Sequence, residues 1–60
     1  MNAYTFELFN LDGNLVDRQT DIILSGLRSA RDYANNLFDG DIVSAKVYEE
    51  NEHVATFCIN

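Results

Sequence analysis

Residues 3–9 alternate between two faces, with Tyr4, Phe6 and Leu8 on one of them. A period of two that includes aromatic side chains is typical of a β-strand with one buried face. The Asp-Gly-Asn sequence of residues 12–14 indicates a turn, because glycine and asparagine tolerate positive φ. Extended sequence resumes over residues 15–23. The first part of the chain is therefore predicted to fold as a β-hairpin.

The register of this hairpin depends on the length of its loop. A three-residue loop over residues 12–14 gives the pairs Tyr4–Ile22, Phe6–Thr20 and Leu8–Arg18. A loop of even length gives the pairs Tyr4–Asp21, Phe6–Gln19 and Leu8–Asp17. Because a slip of one residue turns every side chain of a strand to the opposite face, the odd loop is favoured.

After residue 25 the spacing of apolar side chains changes to that of a helix. The apolar positions are Leu27, Ala30, Ala34, Leu37 and Phe38, with Tyr33 beside them. Ser25 is predicted to be the N-cap residue, since its hydroxyl can accept a hydrogen bond from an amide of the first turn. Gly40 is expected to end the helix in a left-handed conformation. The small side chains of Ala30 and Ala34 would let this helix approach a sheet closely.

Two further strands are predicted over residues 42–48 and 53–59, joined by the polar turn of residues 49–52. One face would carry the pairs Val47–Val54, Ala45–Thr56 and Val43–Cys58. The other face would carry the pairs Tyr48–His53, Ser44–Phe57 and Ile42–Ile59. Residues 1–60 are thus predicted to form a single α+β domain of ββαββ order. Its four-stranded, mostly antiparallel sheet would have one helix packed on one face, with the strand order beyond the two hairpins left open.

One helix can cover only one face of this sheet. The other face would keep one of two apolar sets, either Val43, Val47, Val54 and Cys58, or Ile42, Tyr48, Phe57 and Ile59. Monomeric proteins seldom leave such a patch exposed. We therefore expect a protein partner or a second copy of the chain to cover it.

Two families share features with this layout. In length and element order the chain resembles the immunoglobulin-binding domains of streptococcal protein G, with a local match at residues 33–35, Tyr-Ala-Asn, and in the acidic final hairpin. That resemblance implies a fold and no antibody contacts. The helix start at residues 25–31, Ser-Gly-Leu-Arg-Ser-Ala-Arg, followed by a hairpin, is similar to small type I anti-CRISPR proteins. This second resemblance implies an inhibitor encoded by a phage or a mobile element.

The residues that could carry chemistry do not form a catalytic or metal-binding pattern. Residues 9–17 resemble the first motif of haloacid-dehalogenase-type phosphatases, but Asn10 stands where that family has its nucleophilic aspartate. An amide at that position cannot form an aspartyl-phosphate. The single histidine, His53, and the single cysteine, Cys58, cannot complete a tetrahedral metal site. We predict a protein that is not an enzyme and that uses no cofactor.

Acidic side chains dominate the chain, with ten aspartates and glutamates against four lysines and arginines and a net charge of −6. Such a surface repels nucleic acid and anionic membranes and attracts basic proteins. No apolar run approaches the ~20 residues that span a bilayer, so a cytoplasmic protein is expected. The candidate partner-binding residues are Asp39, Asp41, Glu49, Glu50, Glu52 and Tyr48.

These features favour a binding protein. The leading hypothesis is an inhibitor of anti-CRISPR or anti-restriction type, whose acidic surface occupies the basic nucleic-acid-binding groove of a host defence complex. The alternative is a small structural or regulatory homodimer that associates through its exposed sheet face, with the acidic residues serving solubility. Neither hypothesis involves direct binding to nucleic acid or to a membrane.

Overall fold

A computed structural model describes residues 1–59, which form four strands and one helix. The elements are β1 (Asn2–Phe9), β2 (Leu15–Leu24), α1 (Leu27–Leu37), β3 (Ser44–Glu49) and β4 (Glu52–Cys58). The strands make one sheet in the order β2-β1-β3-β4, and each neighbouring pair is antiparallel. The predicted α+β class and ββαββ order are confirmed. Strands β1 and β3 lie in the centre of the sheet, and β2 and β4 form its edges.

The core lies between α1 and one face of the sheet. Its buried side chains are Tyr4, Phe6, Leu8, Ala30, Ala34, Ala45 and Val47, each at most 2% exposed. The ring of Phe6 packs against that of Tyr33 at a centroid distance of 4.9 Å. Ala30 and Ala34 are the buried residues of α1. Full burial of a side chain such as that of Phe6 contributes about 1.5–3 kcal/mol.

The hairpin β1–β2 uses both of the registers that the sequence allowed. Tyr4 pairs with Ile22, as expected, but Phe6 pairs with Gln19 and Leu8 with Asp17. The predicted pairs of Phe6 with Thr20 and of Leu8 with Arg18 are therefore wrong. A β-bulge separates the two halves, and within it Asp21 has a φ of 57°. The bulge returns Ile22 and Leu24 to the core side of the sheet.

A register shift between Val47 and Tyr48 makes the pairing of β3 with β4 differ from the expected one. Tyr48 pairs with His53 as predicted, whereas Val47 pairs with Ala55 and Ala45 with Phe57. The extra residue shifts the rest of β4 by one position relative to β3. As a result Val47, Val54 and Phe57 all pack with the core. The prediction that one of two apolar sets would remain on the uncovered face is therefore wrong.

Both ends of α1 differ from the predicted caps. Gly26 is the N-cap residue and provides no side-chain hydrogen bond, while the Ser25 hydroxyl lies 2.6 Å from that of Ser29. At the other end the amide of Phe38 donates to the Ala34 carbonyl, and Phe38 is extended. Gly13, and not Gly40, is the glycine with positive φ among the described residues.

Asn10 organises the turn between β1 and β2. Its side-chain oxygen accepts hydrogen bonds from the amides of Asp12 and Asn14, each at 3.0 Å. Its own amide donates to the Asn14 carbonyl at 3.0 Å. The position that resembled a phosphatase nucleophile is thus a structural asparagine in a hairpin loop.

Candidate protein-binding site

The structure divides the predicted acidic residues between the two ends of the sheet. Glu49, Glu50 and Glu52 lie in and beside the β3–β4 turn, whereas Asp39 and Asp41 lie in the α1–β3 loop. The six residues of β3 separate these loops. At about 3.3 Å per residue, that strand spans roughly 20 Å. This separation is a large part of the molecule's longest dimension, which is 31 Å. The two acidic groups therefore cannot act as one compact site.

Glu49 and Glu52 lie directly opposite each other on neighbouring strands. Like charges at such positions destabilise a sheet. Between them, Glu50 and Asn51 have φ values of 53° and 66°. A two-residue turn with positive φ at both positions favours asparagine and glycine, and a glutamate there is strained. The turn therefore carries three carboxylates in an arrangement that works against the stability of the hairpin.

Asp21 adds a fourth carboxylate to this end of the sheet. It lines the same open hollow of about 220 Å³ as Glu50 and Asn51. We call Asp21, Glu49, Glu50 and Glu52 the acidic tip. Asp21 was not among the residues proposed from the sequence, because only the bulge in β2 brings it there. A positive φ at an aspartate within a strand is the signal, and it is visible only in the folded backbone.

Tyr48 lies on the open face, the face of the sheet that turns away from α1. Its ring lies 5.5 Å from that of His53, and it lines a hollow with Glu7 and Arg18. Burial by its neighbours raises the pKa of Tyr48, and a hydrogen bond and the negative charge of Glu7 add to that effect. Tyr48 therefore lies on the open face between Glu7 and Asn51 of the turn that carries the acidic tip.

The rest of the open face carries both signs of charge. Glu7 pairs with Arg18 on one side and with Lys46 on the other. The ammonium of Lys46 lies 5.2 Å from the centre of the Phe9 ring, within range of a cation–π contact. Two of the four basic residues of the chain are thus placed beside one carboxylate. The acidic tip has no such compensation from its cross-strand pairs.

Asp39 has a structural role in the α1–β3 loop. Its carboxylate accepts hydrogen bonds from the amides of Asp41 at 2.7 Å and Ile42 at 2.9 Å. These bonds, that from Ile42 first, lower the pKa of Asp39. Its own amide donates to the Ile42 carbonyl at 3.1 Å. Asp39 therefore holds the loop together, although both Asp39 and Asp41 are exposed to solvent.

Residues 1–59 contain neither a grouping of metal ligands nor a membrane-spanning helix. No three His, Cys, Asp or Glu side chains in this part of the chain are grouped so that they could hold a metal ion. The helix is too short and too polar to cross a membrane, and the described residues contain no other candidate. Comparison of the chain with protein families, with curated proteins and with solved structures finds no match.

Proposed function

We propose that this protein is a non-enzymatic binding module that presents its acidic tip to a basic surface of a protein partner. The proposal is carried by one observation, the placement of Glu49 opposite Glu52 around a strained Glu50. Repulsion among these carboxylates lowers the stability of the free hairpin, and a cationic surface would relieve it. Local features that oppose stability are concentrated at binding sites in proteins.

A nucleic-acid-binding groove is the partner surface that fits best. Such grooves are lined by lysine and arginine that neutralise phosphates, and the carboxylates of the acidic tip would take the place of those phosphates. Tyr48, which lies next to the tip in β3, adds an aromatic ring of the kind that is enriched in interfaces. The function proposed is that of a cytoplasmic inhibitor of a host defence complex, of anti-CRISPR or anti-restriction type and carried by a phage or mobile element.

The experiment begins with affinity purification of the tagged protein from its host and identification of what co-purifies. The purified partner is then loaded with labelled nucleic acid, and displacement of that nucleic acid by the protein is measured. Glu50→Gln combined with Glu52→Gln removes two carboxylates from the tip. The matched control, Asp12→Asn with Asp32→Asn, removes two carboxylates that are exposed elsewhere.

We expect displacement by the wild type and by the control variant, and a loss of about tenfold or more in potency for the tip variant. Equal potency of all three proteins would show that the tip does not make the contact. A partner that keeps its nucleic acid when saturated with wild-type protein would rule out the inhibitor mechanism.

The homodimer hypothesis was based on an apolar set of side chains left on the uncovered face of the sheet, and neither expected set lies there as a whole. The open face carries Glu7, Arg18 and Lys46 in its central part, and the large apolar side chains of β4 pack toward the helix. A sheet face with charges of both signs does not need to be buried by a partner protein or by a second copy of the chain. If the chain forms a dimer, another surface must provide the contact.

A further inference from the structure

The two edges of the sheet are protected to different degrees. β2 carries Asp17, Arg18 and Asp21, and its pairing with β1 is interrupted by two register shifts. Residues 54–59 at the other edge read Val-Ala-Thr-Phe-Cys-Ile, with no charged residue, glycine or proline. Exposed sheet edges are normally protected by charges, proline or bulges, because an unprotected strand recruits another. From residue 55 onward, the β4 edge has none of these protections.

The hydrogen-bonding groups at this edge can be identified from the contacts of β4 with β3. The Ile59 amide donates to the Val43 carbonyl at 2.8 Å. Because backbone amides alternate in direction along a strand, the amide of Phe57 also points toward β3. The amides of Thr56 and Cys58 point away from β3. No other strand within residues 1–59 pairs with these outward amides and carbonyls.

A groove runs along the same edge on the helix side. It has a volume of about 580 Å³ and is lined by Arg31 and Asn35 of α1, by Phe38 directly after the helix, and by residues 56–59. Phe38 and Phe57 are half-buried and form its apolar part. A strand added to β4 would place every second side chain over this groove. The occupant must therefore be an extended segment with an aromatic or aliphatic side chain on that side, where it would meet Phe38 and Phe57.

We propose that the occupant is a second copy of this chain, with β4 paired antiparallel to β4 around a two-fold axis at Phe57. In this register Thr56 exchanges two hydrogen bonds with Cys58 of the second copy, and the two Phe57 side chains lie opposite each other over the groove. β4 itself is thus a segment of the kind that the groove requires.

Charge also favours this arrangement over pairing through any other strand. Residues 54–59 are uncharged, so a chain of net charge −6 can pair here without placing like charges at opposite positions of the two strands. Pairing of β4 with β4 joins the two sheets into one of eight strands. Because the pairing is antiparallel, the two acidic tips lie at opposite ends of the paired strands. The pairing does not depend on the proposed function, because the tip and the edge are separate surfaces.

Sedimentation equilibrium of the wild-type protein in the presence of a reductant tests the proposal. The expected mass at the upper end of a dilution series is twice the monomer mass of 6.8 kDa. Thr56→Pro removes an amide that does not bond to β3, and two such amides are lost per dimer. This variant should dimerise about tenfold more weakly or worse, whereas Thr56→Val, which keeps the amide, should match the wild type.

A wild type that is monomeric at every concentration overturns the proposal, and so does a Thr56→Pro protein that dimerises normally. Far-UV circular dichroism checks that the proline variant is folded. If it is not, Cys58→Lys decides the matter, because it places a charge on an exposed edge residue and should also prevent dimerisation. Normal dimerisation of Cys58→Lys would overturn the proposal.

Disulfide formation tests the register. In a hydrogen-bonded antiparallel pair the Cα atoms lie about 5.5 Å apart, within the range of a disulfide. Thr56→Cys should therefore become covalently dimeric on oxidation through Cys58 of the second copy. The same variant with Cys58→Ser should not. Equal cross-linking of both proteins would place the axis at residue 56 and overturn the register.

Discussion

Glu49 lies directly opposite Glu52, and the two residues between them, Glu50 and Asn51, both have positive φ. Elsewhere in the sheet the single carboxylate of Glu7 has a basic residue at each of its cross-strand positions. The same protein therefore contains one carboxylate, Glu7, that lies opposite basic residues, and one pair of carboxylates, Glu49 and Glu52, that lie opposite each other. This contrast allows the electrostatics of the tip to be tested within a single fold.

Glu52→Gln is expected to stabilise the protein by about 0.2–1 kcal/mol, because it removes a like-charge pair. Glu7→Gln is expected to destabilise it by a similar amount, since it removes attraction to Arg18 and Lys46. Urea unfolding at low ionic strength measures both changes. At about 1 M salt, where the screening length is about 3 Å, both differences should shrink. If Glu52→Gln destabilised the protein as Glu7→Gln does, the claim that Glu49 and Glu52 repel each other would be wrong.

Glu50→Gly is expected to raise the free energy of unfolding by about 1 kcal/mol, because glycine adopts positive φ without a steric penalty. Gly13→Ala is the reciprocal change. Its Cβ would meet no atom within 4 Å, so its cost comes from the backbone, whose φ is 83°. It should lower the free energy of unfolding by about 1 kcal/mol. A neutral effect of Glu50→Gly in thermal unfolding would show that the turn stores no strain.

Asp39 should make stability dependent on pH below its ordinary pKa of 3.8. Its folded-state pKa is lowered by hydrogen bonds from the amides of Ile42 and Asp41. Stabilisation by its charged form is therefore complete above pH 3.8 and is lost as the pH falls through the folded-state pKa. Asp39→Asn should remove part of this acid dependence. An unchanged slope of melting temperature against pH between the variant and the wild type would contradict the assignment.

The hydroxyl of Tyr33 donates to the side-chain oxygen of Gln19 at 2.5 Å and so ties the helix to β2. Tyr33→Phe keeps the ring contact with Phe6 and removes this hydrogen bond. It should lower stability by about 1 kcal/mol. In a background of Gln19→Leu the same substitution should have a smaller effect, which a double-mutant cycle measures. Additive effects would show that the two side chains do not interact.

The elements of the fold follow from local pattern. Alternation at Tyr4, Phe6 and Leu8 identifies the central strand, and helical spacing at Ala30 and Ala34 identifies the face that meets it. Each of these residues is buried as expected. Such patterns depend on the period of one element and need no knowledge of its neighbours.

The bulges could not be predicted in this way. Either register of β1 with β2 satisfies the alternation of β1, and the choice at each position depends on contacts with α1. Gln19 lies on the core side because it reaches Tyr33, and Asp21 then takes positive φ so that Ile22 can return to the core. The acidic tip and the position of Phe57 both depend on such bulges, so the site was only partly visible in the sequence.

The central claim is tested most directly by the affinity of the purified partner for the tip variant and for its matched control. Glu50→Gln with Glu52→Gln and Asp12→Asn with Asp32→Asn carry the same net charge. The account predicts that the tip variant binds about tenfold more weakly or worse than the control, with a difference that diminishes as salt is added. Equal affinities of the two variants at low salt would contradict it.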